Sequence, residues 1–415
     1  MAKEFNHQIK TPTDKPPSLS RRLTLTHLVL YGLGVTVGAG IYVLVGLTVA
    51  EAGLFAPISF LCAAIVVAFT GFTYSELTSR FPVSAGEAVY VREGLKSRHI
   101  ALGVGLLVAA SGIVSASTVS IGAAAYMAHL LPVSSILLTI AIIILLGLAA
   151  SWGILESVTF AAVLTIIEVG GLALVVGYAI ILKPDMLSTV GSLFPPFELE
   201  AWSGISSAGL LAFFAFIGFE DLANVAEEAK SPQKNMPRAI IFTLLSATAI
   251  YFIVVSAVVL SVPLEDLRGS ASPLMLVFSN SGDTAKITFN LIAAFATING
   301  VLIQIIMASR ILYGLADQDH LPKPLAYIHP VTRTPLIATA IVVSLILAFA
   351  IFLPIGQLAE TTSLIALTVF AFVNLALIKI KIAEKTPKRN HFNVPIWVPA
   401  LGLFSCLLLL GSALL

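Results

Sequence analysis

The chain has 415 residues, of which 58% are hydrophobic and only 11% are charged, with a net charge of +1 and a mean hydropathy of +1.00. About a quarter of the residues of a soluble domain are charged, so this composition excludes a string of soluble domains and predicts a polytopic protein of the lipid bilayer. A transmembrane β-barrel is excluded as well, because barrel strands alternate every second residue and this chain has unbroken apolar runs at 136–148 and 340–353. The near-zero net charge gives no reason to expect a nucleic-acid partner.

Two further features limit the class of protein. Residues 1–22 are polar, include three prolines and lack an apolar stretch, which predicts a disordered cytoplasmic tail and no cleavable signal peptide. Both cysteines, Cys62 and Cys406, lie in apolar runs, and no histidine lies in the middle of a span. The sequence therefore predicts no disulfide framework, no metal site and no cofactor.

Eleven apolar segments have the length of a membrane span, and polar or proline-rich segments separate them. Spans 1 to 11 are predicted at 26–50, 54–78, 100–130, 133–150, 157–182, 202–229, 238–262, 284–315, 335–354, 358–380 and 394–415. With the N-terminus in the cytoplasm, 20 of the 23 lysines and arginines fall in the tail or in inner loops. Only Lys183, Arg268 and Lys286 fall outside, so the positive-inside rule supports a multi-pass protein of the cell membrane with this orientation.

Clustered glycines interrupt the apolar pattern of span 1. Gly38 lies about 18 Å into the span, near the middle of the membrane, and Gly38-Ala39-Gly40 has low helix propensity. An unwound helix at this point would free backbone groups, which a membrane tolerates only where they line a cavity or bind a ligand. The alternative is a packing face of small residues, because Gly34 and Gly38 form a GxxxG pair.

Span 6 contains a second candidate interruption. Gly218 breaks an apolar run and is followed by Phe219, Glu220 and Asp221. Carboxylates at this depth are costly unless they are satisfied. A second half-helix beginning near Phe219 would place both acids in its first turn, where they cap free N–H groups.

Spans 1 and 6 are the first members of two halves of five spans each. Interrupted spans at matching positions indicate an inverted-repeat transporter, and an odd number of spans reverses the direction of the second half. We therefore expect an all-α fold with a first repeat at 23–182, a second repeat at 202–380 and one extra helix at 394–415.

Four stretches of the sequence resemble the amino acid–polyamine–organocation superfamily of permeases, which have the leucine-transporter fold. They are Gly38-Ala-Gly-Ile41, Glu76-Leu-Thr-Ser-Arg-Phe-Pro82 with Ser84-Ala-Gly86, the run FFAFIGFEDLANVAEEAKSPQKNMP from Phe213 to Pro237, and Ser309-Arg-Ile-Leu-Tyr-Gly-Leu-Ala316 with Leu321-Pro-Lys323 and Arg333-Thr-Pro335. The resemblance covers residues 20–380 and implies a 5+5 inverted repeat with discontinuous helices 1 and 6.

The resemblance also implies a substrate site at the two interruptions. The substrate carboxylate is expected to meet backbone N–H groups at 39–41, and the amino group to meet carbonyl groups of spans 1 and 6. This agrees with the preference of helix N-termini for anions and of unwound carbonyls for cations. An aromatic side chain, Phe214 or Phe216, is expected to close the site toward the outside. The candidate substrate-binding residues are Thr36, Val37, Gly38, Ala39, Gly40, Ile41, Phe214, Phe216, Ile217 and Gly218.

Glu168 is the candidate ion-coupling residue. It lies about 17 Å into span 5, at the position where some proton-coupled relatives carry a lysine. The matching family positions place it near Thr36 and Val37 of span 1 and Thr297 and Asn299 of span 8. Three roles remain open: a proton carrier, a permanently protonated packing residue, and a sodium ligand.

The sequence favours a secondary active transporter of small neutral amino acids, coupled to protons or working by exchange. The pocket candidates are apolar or hydroxylic and include Ser115 and Ser363. A permease for cationic amino acids or polyamines, with the substrate paired to Glu168, is the alternative within this class, and an ion channel is the rival from another class. No HExxH, GxSxG or P-loop motif is present, so an enzyme is not expected.

Overall fold

The structure is a computed structural model that describes residues 21–83, 86–152, 158–317, 320–332, 334–384 and 391–412. Most of the predicted N-terminal tail, the Ser84-Ala85 part of one motif, Arg333 and the basic run 385–390 lie outside the described residues. The side chains of Ala39 and of residues 158–162 are likewise not described.

Apart from one isolated backbone bridge, the regular elements of the described residues are helices. The α-helices are α1 (Leu25–Ala52), α2 (Ala56–Arg80), α3 (Gly86–Leu95), α4 (Arg98–Ala128), α5 (Ser135–Trp152), α6 (Val158–Leu182), α7 (Leu199–Phe214), α8 (Pro232–Ser261), α9 (Leu264–Leu267), α10 (Asp283–Asp317), α11 (Leu336–Phe352), α12 (Ile355–Ala383) and α13 (Trp397–Ser412). Short 3-10 helices occupy Gly53–Phe55, Pro184–Leu193, Phe219–Glu228, Pro273–Phe278 and Lys323–Ala326.

Each of the eleven predicted spans corresponds to one of these helices. Span 3 is α4, span 5 is α6, span 6 is α7 with the 3-10 helix that follows it, span 8 is α10 and span 10 is α12. In the described part of the chain, eight helical stretches are long and apolar enough to cross a membrane. The predicted all-α polytopic fold class is confirmed, whereas the division into repeats at 23–182 and 202–380 stays a prediction.

Helix α1 lies inside the bundle and packs against α6, α7, α8 and α10. Around it, α4 packs along α10 and α12, and α2 packs along α8. Burial of side chains such as Val37, Ile41 and Tyr42, all fully buried, explains why a predominantly apolar helix is stable here.

The predicted interruption of span 1 is wrong. Helix α1 continues as α-helix from Leu25 through Gly38 and Gly40 to Ala52. Gly40 serves close packing instead, because a Cβ there would lie 2.4 Å from Ala215 Cα, whereas a Cβ at Gly38 would make only an ordinary contact, 3.4 Å from Ala296 O. Low helix propensity costs about 1 kcal/mol per glycine, which tertiary packing overrides.

The predicted interruption of span 6 is confirmed. Helix α7 ends at Phe214, turns occupy 215–218, and a 3-10 helix begins at Phe219. Gly218 has a φ of 122°, a conformation that favours glycine over any residue with a Cβ. The second half of this span is therefore a 3-10 helix and not an α-helix.

Contacts at the helix ends define two opposite faces of the bundle. On the first, called here the basic face, Leu23 N donates to Glu228 O (3.0 Å), and Arg98 Nε lies 2.8 Å from His320 Nε2. On the opposite face, Gly269 N donates to Gly46 O (3.2 Å), and Lys183 Nζ donates to Leu260 O (2.8 Å). The grouping agrees with the predicted alternation of the spans.

A buried ion cluster on the basic face fixes α13 to the bundle. The fully buried Glu76 of α2 pairs with Arg80 at 2.5 Å and with Lys381 of α12 at 2.8 Å. Its other carboxylate oxygen accepts a hydrogen bond from Val394 N (2.7 Å), just before α13. The Glu76–Pro82 motif thus ties together three helices.

Candidate functional site

The interruption between α7 and the following 3-10 helix is held by its own acidic residue. Glu220 Oε2 accepts a hydrogen bond from Gly218 N at 2.8 Å, as predicted for a cap. A Cβ at Gly218 would lie 2.8 Å from Val35 O, so the turn presses directly on α1. The turn therefore needs glycine both for its φ and for its contact with α1.

Tyr251 of α8 joins α1 to the interruption. Its hydroxyl lies 2.7 Å from Thr36 O of α1 and 2.6 Å from Ala215 O of the turn after α7. Its single proton is therefore shared between these two carbonyl groups. Phe216 packs against the Tyr251 ring with centroids 5.0 Å apart and is fully buried. Phe216 is therefore part of the packing around Tyr251.

A small cavity, the α1–α7 cavity, lies between these helices, α4 and α10. Its volume is about 20 Å³, and it is lined by Val35, Thr36, Gly40, Ser115, Val119, Phe214, Ile217, Gly300, Ile303 and Gln304. Four of the ten predicted substrate-binding residues, Thr36, Gly40, Phe214 and Ile217, are thus brought together around one space. Ser115, a predicted pocket residue, also lines it.

The other predicted site residues lie elsewhere. Val37 and Ile41 are fully buried in the core, and Gly38 faces Glu168. Because α1 is continuous, the N–H groups at 39–41 belong to an α-helix and point along its axis. The predicted use of these free N–H groups for a substrate carboxylate is therefore not present in this conformation. Ser363 donates to Leu210 O at 2.8 Å and is fully buried, which gives it a structural role.

A second small cavity, the carboxyl cavity, adjoins the first and shares Ser115, Ile217 and Gln304 with it. Three carboxyl groups line it, those of Glu87, Glu220 and Asp221. Burial raises the pKa of Glu87, and the hydrogen bond from the Tyr74 hydroxyl (3.2 Å) opposes this rise. The sequence predicted that Glu220 and Asp221 lie at the interruption, but it did not predict that Glu87 lies beside them.

A large cavity, the vestibule, continues from the carboxyl cavity to the basic face. Its volume is about 940 Å³, and it shares Glu87, Val108, Asp221 and Met307 with the carboxyl cavity. Arg98, Arg310 and His320 line it near the basic face. The three cavities form a series from one face of the bundle to the contact between α1 and α7.

Glu168 of α6 lies on the other side of α1 from this series. It is 1% exposed, and neither carboxylate oxygen has a hydrogen-bond partner among the described residues. The oxygens would lie 3.4 and 3.5 Å from a Cβ at Gly38, and the Asn299 side chain lies beside them. The carboxyl group thus lies directly against α1 at Gly38. Thr297, also expected nearby, donates to Ala293 O of its own helix at 2.8 Å.

Sequence reasoning missed Gln304 and Gly300 of α10 as lining residues. Gln304 carries the one signal that the sequence offered, a primary amide inside the apolar run Val301–Met307. Nothing in that run shows which helix the amide faces.

Comparisons with known proteins agree with the architecture. A family profile described as amino acid permease matches residues 23–414. The branched-chain amino acid permease BcaP of Bacillus subtilis is 28% identical over 96% of this chain and 89% of its own length. The methylthioribose transporter of the same organism is 28% identical over 94% of this chain and 87% of its own length. The mitochondrial cationic amino acid transporter 3 of Arabidopsis thaliana is 30% identical over 88% of this chain and 63% of its own length.

Proposed function

The chain belongs to the amino acid permease family, and we propose that it is a secondary active transporter of small neutral amino acids that works by alternating access. Such transporters bind substrate near the middle of the membrane, at discontinuous helices. The observation that carries the proposal is the series of cavities that leads from the basic face to the interruption of span 6.

The conformation fits one end of a transport cycle. The vestibule is open on the basic face, which the positive-inside rule assigns to the cytoplasm. The α1–α7 cavity, at about 20 Å³, has room for about one water and is too small for an amino acid. Substrate binding therefore requires α1 and α7 to separate.

The groups that line the α1–α7 cavity support a neutral substrate. No ionised side chain lines it, which favours a zwitterion without a charged side chain. The ten residues predicted from the sequence remain the proposed site, with Ser115 and Gln304 added to it. Their roles depend on opening of the cavity around Thr36, Phe214 and Ile217.

Glu168 is proposed to carry the coupling proton. An ionised carboxylate at mid-membrane depth without a cation is costly, so protonation changes the free energy of this site. Because the group faces Gly38 of α1, protonation stabilises conformations of α1 to different extents, which is all that coupling requires. Sodium bound by Glu168 and backbone carbonyls is the alternative coupling ion.

A cationic amino acid or polyamine is the second candidate substrate. The carboxyl cavity favours it, because Glu87, Glu220 and Asp221 adjoin the α1–α7 cavity. Glu168 does not line either cavity, so in this alternative these carboxyl groups and not Glu168 would pair with the substrate.

A thermal-shift screen of the purified protein against the twenty amino acids tests the proposed substrate class. A ligand that binds only the folded state raises stability by RT ln(1 + [L]/Kd), about 2.7 kcal/mol at a hundredfold excess over Kd. Stabilisation by small neutral amino acids is expected. Stabilisation by arginine or lysine alone would favour the second candidate, and no stabilisation by any amino acid would contradict both.

Glu168→Gln tests the coupling. The variant is expected to bind and exchange amino acid in proteoliposomes but to lose uptake driven by a pH gradient, because the amide mimics the protonated carboxyl permanently. Glu360→Gln, an exposed residue of α12, is the matched control and should behave as wild type. If Glu168→Gln accumulates substrate as well as wild type does, Glu168 is not the coupling residue. Uptake that requires sodium at constant pH would overturn the proton proposal.

A further inference from the structure

Gln304 is an amide in an apolar wall, at the boundary of two cavities. It lies on α10 in the run Val301-Leu-Ile-Gln-Ile-Ile-Met307 and lines both the α1–α7 cavity and the carboxyl cavity. Its Oε1 atom is buried and has no hydrogen-bond partner among the described residues. Buried polar groups in folded proteins are bonded in the large majority of cases, so this atom requires an explanation.

Helix α4 leaves the space that the amide occupies. A Cβ at Gly112 would lie 2.9 Å from Gln304 Oε1 and 3.0 Å from Met307 Cε. Any larger residue at 112 would displace the amide from its position. The sequence of α4 thus accommodates a polar group that α4 itself does not bond.

A second unsatisfied group lines the same cavity. Thr36 of α1 is 1% exposed, and its Oγ1 has no hydrogen-bond partner among the described residues. The hydroxyl can donate one hydrogen bond and accept two, and the amide offers two donors and one acceptor. Two such groups around one cavity suit a ligand that both donates and accepts hydrogen bonds.

The rest of the cavity wall determines what kind of ligand fits. It consists of apolar residues, glycines and the Ser115 hydroxyl, without an ionised side chain. A charged ligand group would therefore be desolvated there without a counter-ion. An uncharged hydroxyl or amide group on the ligand would satisfy Gln304 and Thr36 at no such cost.

We propose that Gln304 is a specificity-determining residue, which with the Thr36 hydroxyl selects amino acids whose uncharged side chains carry a hydroxyl or amide group. This inference rests on the proposed amino acid transport and adds the class of side chain. A site built to hydrogen-bond a substrate group rejects the analogue that lacks it, because its own buried polar groups are then left unpaired.

The test compares L-threonine with L-valine, which have nearly the same shape and differ in one hydroxyl. Binding to the purified full-length protein is measured by competition with a radiolabelled amino acid that the protein binds. Wild type is expected to bind threonine at least about tenfold more tightly than valine. Gln304→Met keeps the length of the side chain and removes its hydrogen bonds. It is expected to bring the two affinities within about threefold, mainly by weakening threonine binding.

Gln357→Met, at an exposed position of α12, is the matched control. It should keep the wild-type ratio of threonine affinity to valine affinity. If Gln304→Met does not fold, Gly112→Ala displaces the same amide and is expected to reduce the ratio in the same direction. A threonine-to-valine ratio that Gln304→Met leaves unchanged would overturn the proposal and assign Gln304 to packing or to an ordered water. A wild-type preference for valine would also overturn it while leaving amino acid transport intact. Failure of every amino acid to bind would instead overturn the proposed transport and this inference with it.

Discussion

Four polar side chains inside the bundle show how single residues divide between structure and function. Glu76 is fully buried but is compensated by Arg80 and Lys381, and Glu220 accepts the Gly218 N–H group. These two acids have a structural role, since their partners lie within the protein and loss of either acid would leave those partners uncompensated. Glu168 and Gln304 keep buried oxygens without hydrogen bonds in the described structure. Unmet polar groups of this kind are expected where a proton or substrate binds.

Glu87 provides a prediction for pH dependence. Its pKa is raised by burial on α3, so its neutral form is favoured in the folded state. The folded protein then binds the proton more tightly than the unfolded chain, and the stabilisation is present below the ordinary carboxyl pKa of about 4.3 and is lost as the pH rises through the raised value. Glu87→Gln keeps the neutral form at every pH and should remove this loss of stability.

Thermal denaturation between pH 4.5 and 8 measures the effect. Glu93→Gln on the same helix is the control, because Glu93 is 37% exposed and forms an ion pair with Lys96 at the surface. This ion pair contributes at most about 1 kcal/mol to the free energy of unfolding. An identical pH profile for Glu87→Gln and wild type would show that Glu87 has the same pKa in both states.

The role of a residue could be predicted from the sequence where it depends on a single span. It could not be predicted where it depends on which helices face each other. The capping of Gly218 by Glu220 follows from three consecutive residues, and it is confirmed. The mid-span position of Glu168 follows from the length of one helix. Thr36 and Ser115 were already candidates for the site, but Gln304 was not, because its place beside them depends on the packing of α10 against α1 and α4, which no local pattern encodes.

At the scale of elements, the two glycine-containing spans behave differently for a physical reason. Gly218 has a positive φ and a carboxylate two residues later that bonds its N–H group, so the helix ends. Gly38 and Gly40 lack such a capping partner in the sequence, and their low propensity alone did not break α1. Close packing occurs at Gly40 against Ala215, whereas the Gly34–Gly38 packing face of the sequence alternative stays a prediction. Clustered glycines were a weak predictor of unwinding, because they occur both where helices pack closely and where a helix unwinds.

Gly40→Ala tests the contact between α1 and α7. The added methyl group would lie 2.4 Å from Ala215 Cα, so backbone must move apart. Overpacking of this kind costs about 1 to 3 kcal/mol, and the displaced helices should also weaken amino acid binding. The thermal midpoint and the affinity of the variant are measured together.

Gly103→Ala on α4 is the matched control, since a Cβ there meets nothing within 4 Å. In a helix interior this change should be neutral or stabilising by up to about 1 kcal/mol. Equal stability and affinity for the two variants would mean that α1 and α7 are not in close contact.

At the scale of the whole molecule, the order of the eleven spans followed from hydropathy alone, whereas the short helices α3 and α9 between spans were not predicted. All eleven predicted spans are helical, because each must satisfy its backbone hydrogen bonds internally in a bilayer. The faces of the bundle also agree with the distribution of lysine and arginine. The orientation of these faces relative to the cytoplasm rests on the positive-inside rule and remains a prediction.

Cysteine labelling tests that orientation. In a background without Cys62 and Cys406, single cysteines replace Ser188 on the opposite face and Lys96 on the basic face, both exposed. An impermeant maleimide applied to intact cells is expected to label the Ser188→Cys variant and to reach the Lys96→Cys variant only after permeabilisation. The reverse pattern would invert the topology and place the vestibule on the outside.

Counterflow in proteoliposomes tests the central claim, transport of an amino acid by alternating access, most directly. Liposomes loaded with unlabelled amino acid are diluted into a trace of the same radiolabelled amino acid, without ion gradients. A carrier exchanges the two pools, so the label should accumulate transiently above its equilibrium level and saturate with increasing substrate. Label that only equilibrates, at a rate proportional to its concentration, would indicate a channel and contradict the account.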